Sequence, residues 1–90
     1  MKLEIVTPDR KLFEGEAQSV TLPGVMGQFQ VLDRHAPLIS VLEKGEVSIA
    51  GGKSASDTQA TEQSFIIEGG VVEVLNNQVV VLAEGVVTQD

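Results

Sequence analysis

The sequence predicts an all-β domain, an antiparallel sandwich or barrel of roughly eight to ten short strands. Three observations carry that prediction. Apolar residues recur with period two, the spacing that puts them on one face of a pleated strand. Turn residues interrupt the alternation about every 8 to 12 residues, as in antiparallel sheets. The apolar content is aliphatic: 42% of the 90 residues are hydrophobic, yet the aromatics are only Phe13, Phe29 and Phe65. Val dominates, and its branched Cβ suits a pleated surface. No window shows the 3.6-residue period of an amphipathic helix.

The strands follow in order. Leu3 and Ile5 alternate with Lys2 and Glu4, and Thr7-Pro8-Asp9-Arg10 makes a turn in which Pro8 fixes φ. Leu12 and Phe13 open a second strand, with Gly15 as a candidate bulge. Val20 and Leu22 share a face opposite Thr21, and Pro23-Gly24 is expected to end that strand. Phe29 and Val31 alternate with Gln28 and Gln30. Pro37 to Leu42 is more continuously apolar and reads as a buried strand, ended by Lys44-Gly45. Val47 and Ile49 alternate with Glu46 and Ser48. Gly51 through Gln63 is small and polar, so a long mobile hairpin tip with nothing to bury is expected. Phe65 to Ile67 and Val71 to Leu75 flank Gly69-Gly70, and Asn76-Asn77 is a hairpin turn because Asn tolerates positive φ. Val79 to Ala83 reads as a strand buried on both faces. The whole, residues 1–90, is a single domain.

Composition excludes several classes of function. Thirteen acidic groups against six basic ones give a net charge of −7, unsuited to nucleic acid or to anionic lipid. The absence of Cys removes disulfides, thiol catalysis and thiolate metal sites together. No apolar run approaches the ~20 residues of a membrane helix. The start, Met1-Lys2-Leu3-Glu4-Ile5, has neither a signal-peptide core nor a transit pattern, so a soluble chain retained where it is made is expected.

The candidates for chemistry are weak. Gly52-Lys53-Ser54 matches the end of a phosphate-binding loop, but Val47 stands where the motif needs its first Gly, and no helix follows. His35 with Asp33 suggests a metal pair or an acid–base couple, yet a nucleophile and soft ligands are both missing. Glu14 with Glu16 and Glu43 with Glu46 lie beside turns, where carboxylates are simply solvated. No catalytic residue, cofactor, metal or small-molecule substrate is expected. Val25-Met26 between Gly24 and Gly27 is different: two apolar side chains at a turn tip suit a contact loop.

These residues also carry a family resemblance. The opening LEIVTPDRKLFEGEAQSVTLPGVMGQFQVLDRHAPLIS and the later IIEGGVVEVLNNQVVVLAE resemble the epsilon subunit of F-type ATP synthases. The matching pieces are Val6-Thr7-Pro8, Phe13-Glu14-Gly15, the Pro-Gly to Gly loop within Val20 to Val31, the His35 to Leu38 corner, Gly69 to Val74, and Val79 to Ala83. They span nearly the whole chain in order. The resemblance implies a ten-stranded antiparallel β-sandwich and a non-catalytic role in the central stalk, the rotor that couples ion translocation to ATP synthesis. It implies contact with the c-subunit ring through Gly24, Val25, Met26, Gly27 and Gln28, and with the gamma subunit through His35, Leu38 and Ser40. It implies a peripheral place on the cytoplasmic face of a bacterial plasma membrane, or else the stromal face of a thylakoid, without lipid insertion.

Three departures from the family pattern accompany it. Gln28 stands where many relatives are acidic, and Arg34 where the usual residue before the His is Gly. The chain stops at Gly85-Val86-Val87-Thr88-Gln89-Asp90, leaving nothing for the family's C-terminal helical hairpin, so inhibition of ATP hydrolysis by helix insertion is not expected. The alternative is an unrelated β-sandwich that binds a protein or peptide edge.

Overall fold

The computed structural model describes residues 1–54 and 59–87. Period-two patterning becomes nine strands: β1 (Lys2–Val6), β2 (Lys11–Glu16), β3 (Ser19–Gly24), β4 (Gly27–Leu32), β5 (Leu38–Leu42), β6 (Gly45–Ser54), β7 (Thr61–Ile67), β8 (Gly70–Leu75) and β9 (Gln78–Ala83). Beyond them Val86 forms an isolated bridge to Ile67. Two layers result. One runs β4-β3-β6-β7 and the other β5-β8-β9-β1-β2. The layers join where β3 meets β5 at Gly24 and Leu42, and where β2 meets β6 at Gly15 and Ser54. Strand β3 gives one edge wholly to β4 and divides the other between β6 and β5. This is a β-sandwich, as the sequence predicts. Among the described residues all pairings are antiparallel except β1 with β9, which run parallel from Lys2 beside Gln78 to Val6 beside Leu82.

The core lies between the layers. Leu3, Ile5, Val20, Leu22, Val31, Val47, Ile67, Val72, Val74, Val79 and Val81 are all but fully buried, with Phe29, Leu38 and Phe65 packed at the margin. Each comes from the inward set of its strand, so alternation alone sorts the aliphatics. The Thr7–Arg10 turn closes as expected, the Thr7 N–H donating to the Arg10 carbonyl at 2.8 Å. Asn76 and Asn77 carry φ of 51° and 59°, the two positive values of a type I′ hairpin turn.

Four expectations are corrected. Pro23-Gly24 does not end β3: both residues lie in it, and the turn is Val25-Met26. Pro lacks only its own N–H, and the Pro23 carbonyl still accepts from Glu43 at 2.8 Å. Gly15 is not a bulge. It lies where β6 crosses onto β2, and a Cβ there would sit 2.3 Å from the Lys53 carbonyl oxygen. The polar stretch after Gly51 is not all loop. Strand β6 continues to Ser54 and β7 begins at Thr61, and Gly52 is buried where a side chain would strike Ile49. Residues 55–58, the centre of the expected mobile tip, lie outside the described residues. Finally, β5 and β9 are not buried on both faces. Ile39 is 70% exposed, Val41 56% and Leu82 54%. Only their inward neighbours meet the opposite layer.

Candidate docking surfaces

The β3–β4 hairpin carries the first surface. Gly24 pairs with Gly27 across a two-residue loop, and Gly27 takes φ of +124°, a conformation that excludes most side chains. The loop therefore projects Met26, 97% exposed, and Val25, 50% exposed. The tip is not loose. The Val25 N–H donates to the Val41 carbonyl at 3.1 Å, so β5 braces it from the side. Gln28 stands exposed next to it, opposite Pro23. The five residues expected to meet the ring thus form one continuous knob, except that Gly24 itself is buried in the strand beneath.

The other end of β4 carries the corner. The His35 N–H closes a turn on the Leu32 carbonyl at 3.2 Å. Arg34 occupies the third position of that turn with φ of +64°, where glycine is the natural occupant. Asn77 holds it: the Arg34 N–H donates to Asn77 Oδ1 at 2.7 Å, and Asn77 Nδ2 donates to Asp33 Oδ1 at 3.0 Å. The Met1 ammonium donates to the same Asp33 oxygen at 2.8 Å and to the Ala17 carbonyl at 3.1 Å. Those hydrogen bonds, from the ammonium first and from Asn77 second, hold the Asp33 carboxyl below the usual aspartate value. One cluster therefore ties together the start of β1, the link from β2 to β3, the corner and the β8–β9 turn.

Of the three corner residues, His35 is exposed, Leu38 packs against the core, and Ser40 is half-buried on the same side of β5. Tip and corner lie at opposite ends of β4, a strand about 17 Å long at roughly 3.4 Å per residue.

The geometry leaves the catalytic candidates dispersed. The His35 Nδ1–H donates to the Ala36 carbonyl at 2.7 Å, while Asp33 is directed at Met1 and Asn77. Lys53, the lysine of the phosphate-loop reading, lies in β6 paired with Glu16 of β2, not before a helix. Glu14 pairs with Lys11 at 3.2 Å, and Glu46 accepts from the Ser48 hydroxyl at 3.0 Å.

Sequence reasoning missed a third surface. The outer face of the β4-β3-β6-β7 layer holds a groove lined by Thr21, Gln30, Ser48 and Ser64, as expected of a face in water. The outer face of β5-β8-β9 holds Ile39, Val41, Val71, Leu75 and Leu82 instead. The signal was present as aliphatic runs without polar alternation, Leu38 to Leu42 and Val79 to Leu82, which read equally as buried strands.

Comparison with known proteins agrees with this architecture. A family model described as "ATP synthase, Delta/Epsilon chain, beta-sandwich domain" matches residues 1–89. The ATP synthase epsilon chain of Chlorobium limicola is 46% identical over 85 residues, covering 94% of this chain and 90% of that one. The epsilon chain of Sulfurimonas denitrificans is 45% identical over 87 residues, covering 97% of this chain but 62% of that protein. The chain therefore spans nearly all of one relative and under two thirds of another. Among solved structures, the Tetrahymena thermophila mitochondrial ATP synthase central stalk and c-ring contains a chain of the same fold, with TM-score 0.76 at 19% identity, covering 97% of this chain and 65% of that one. The Euglena gracilis mitochondrial ATP synthase contains another, with TM-score 0.77 at 21% identity, covering 94% and 51%. With the sandwich, the Pro-Gly tip and the His-Ala-Pro-Leu corner all in place, the chain belongs to the ATP synthase delta/epsilon family and carries its β-sandwich domain.

Proposed function

We propose that this chain is a non-catalytic subunit of the central stalk of an F-type ATP synthase, linking gamma to the c ring. The observation that carries the reading is the braced tip at Val25-Met26, separated from the His35 corner by the whole of β4, a strand about 17 Å long at roughly 3.4 Å per residue. A coupling piece needs two contact points fixed relative to each other, and a core packed at crystal-like density fixes them. Val25 and Met26 supply the apolar centre of the ring contact, and Gln28 a neutral polar rim where many relatives carry a charge. His35, Leu38 and Ser40 supply the gamma contact. The complex then sits against the cytoplasmic face of a bacterial membrane without insertion of this chain into lipid. Coupling passes through it as transmitted torque, and ATP chemistry stays with other subunits.

The test is co-purification with a matching gamma subunit, followed by reconstitution onto a c ring. A stoichiometric gamma complex that is lost in the double variant His35→Ala, Leu38→Ala supports the reading. Met26→Asp should weaken ring attachment while leaving the melting temperature of the free domain unchanged. A folded chain that ignores gamma returns the protein to the class of unidentified binding modules.

A further inference from the structure

The corner that presents His35 is held from a different hairpin. Its turn runs from Leu32 to His35, and Arg34 enters it at φ of +64°. A residue with a Cβ keeps that left-handed conformation only when its surroundings hold it there. The ion pair between Arg34 and Asp33 is long, 3.9 Å, and exposed, too weak to hold a backbone. The hold comes from Asn77, 43 positions along the chain. Its Oδ1 accepts from the Arg34 N–H at 2.7 Å, and its Nδ2 donates to Asp33 Oδ1 at 3.0 Å. Asn77 is anchored in turn. Its φ of 59° belongs to the β8–β9 turn, and its carbonyl accepts from the Lys2 N–H at 3.1 Å. The Met1 ammonium fixes Asp33 from the other side at 2.8 Å.

We infer that Asn77 is a positioning residue for the gamma contact, its side-chain amide setting the conformation of the corner. The stalk reading above supplies the identity of the partner; the ordering of the corner stands without it. The two groups that Asn77 faces select an amide. A backbone N–H only donates and a carboxylate only accepts, so the side chain between them must offer one acceptor and one donor. Asp in its place has no donor and repels Asp33, and Gly has neither group. The turn itself asks for less. Asn76, in the same turn at φ of 51°, is exposed and makes no side-chain hydrogen bond among the described residues, so positive φ is all that its position requires. At position 77 the backbone requirement and the amide requirement are therefore separable, and glycine meets the first alone. Without the amide nothing offsets the left-handed strain at Arg34, and the corner spreads over other conformations. Affinity for a partner that recognises one of them then falls with the fraction of chains that still adopt it.

The test compares Asn77→Gly with Asn76→Gly in the full chain labelled with ¹⁵N. Both variants should fold, since glycine suits both turn positions. Amide relaxation should show added mobility at residues 33–36 in Asn77→Gly and none in Asn76→Gly. Calorimetric titration with a matching gamma subunit should show binding weakened at least about 5-fold in Asn77→Gly and within about 2-fold of wild type in Asn76→Gly. Adding Arg34→Gly to Asn77→Gly should recover part of the lost affinity, because glycine adopts the left-handed conformation without support. A role confined to the β8–β9 hairpin could not be rescued from position 34. Equal mobility or equal gamma affinity in the two single variants, or no recovery on adding Arg34→Gly, would overturn the inference. A wild-type chain that ignores gamma would overturn the assembly reading instead, and the mobility of residues 33–36 would still decide whether Asn77 sets the corner.

Discussion

Adding one methyl group at Gly15 tests the joint between the two layers. In Gly15→Ala the new Cβ would lie 2.3 Å from the Lys53 carbonyl oxygen and 2.8 Å from the Ser54 Cα. Both are backbone atoms, so no side chain can rotate away, and β6 itself must lift from β2. Among the described residues Gly15–Ser54 and Glu16–Lys53 are the pairs that join those strands, so a small displacement disrupts much of the joint. Overpacking of this kind costs about 1–3 kcal/mol. The total stability of a 90-residue domain is about 5–13 kcal/mol, so the loss is a sizeable fraction. At roughly 4–8 °C per kcal/mol for this size, the melting temperature should fall by about 5–20 °C. Urea unfolding is the assay, read as a lowered midpoint with an unchanged slope. Gly85→Ala is the control, since its Cβ would meet nothing closer than Glu68 Cγ at 3.5 Å. A neutral or stabilising Gly15→Ala would refute the reasoning, because at a roomy bulge the loss of backbone freedom in the unfolded chain would stabilise by about 0.4–1 kcal/mol.

The remaining predictions are simpler. Val81→Ala and Ile67→Ala, both at sites with no exposure, should each lower stability, by about 1–4 kcal/mol in urea unfolding. Arg34→Gly relieves a left-handed conformation while keeping the N–H bond to Asn77, and should raise stability by up to about 1 kcal/mol; a melting temperature that falls would contradict this. Asp33 has a folded pKa below its unfolded value of 3.8, so its contribution is complete well above that pH and is lost as pH falls through the folded pKa. Asp33→Asn should therefore flatten the acid limb of a stability-against-pH curve below about pH 4, and an unaltered limb would show the cluster to be inert.

Much of the sandwich was legible because its cues are local. Asn76-Asn77 named its own turn type, and Leu3, Ile5, Val20, Leu22, Val47 and Ile49 declared their inward face by alternation. What the sequence hid depends on distant neighbours. Gly15 looks like a bulge residue until Lys53 arrives across 38 positions of chain. Pro23 resembles a strand end because nothing nearby shows that Glu43 will use its carbonyl. Ile39, Val41 and Leu82 look buried because composition reports apolarity, not whether a second layer covers it. The tip was readable from two apolar residues between glycines. The exposed apolar face of β5-β8-β9 was not, since it is assembled from three strands whose adjacency only the topology defines.

The parallel pairing of β1 with β9 has a mechanical consequence. The chain enters β1 beside the start of β9 and leaves β9 at the far end, past Ala83. Tension between the two ends of the domain therefore slides one strand along the other. All the ladder bonds between them are strained at once, not opened one after another as in a hairpin pulled from its mouth. Strands β2 and β8 grip the pair from outside, so neither can peel away first. Pulled end to end, the domain should resist as a clamp and yield abruptly, whereas force applied across the β3–β4 hairpin from Ser19 and Leu32 should unzip it gradually.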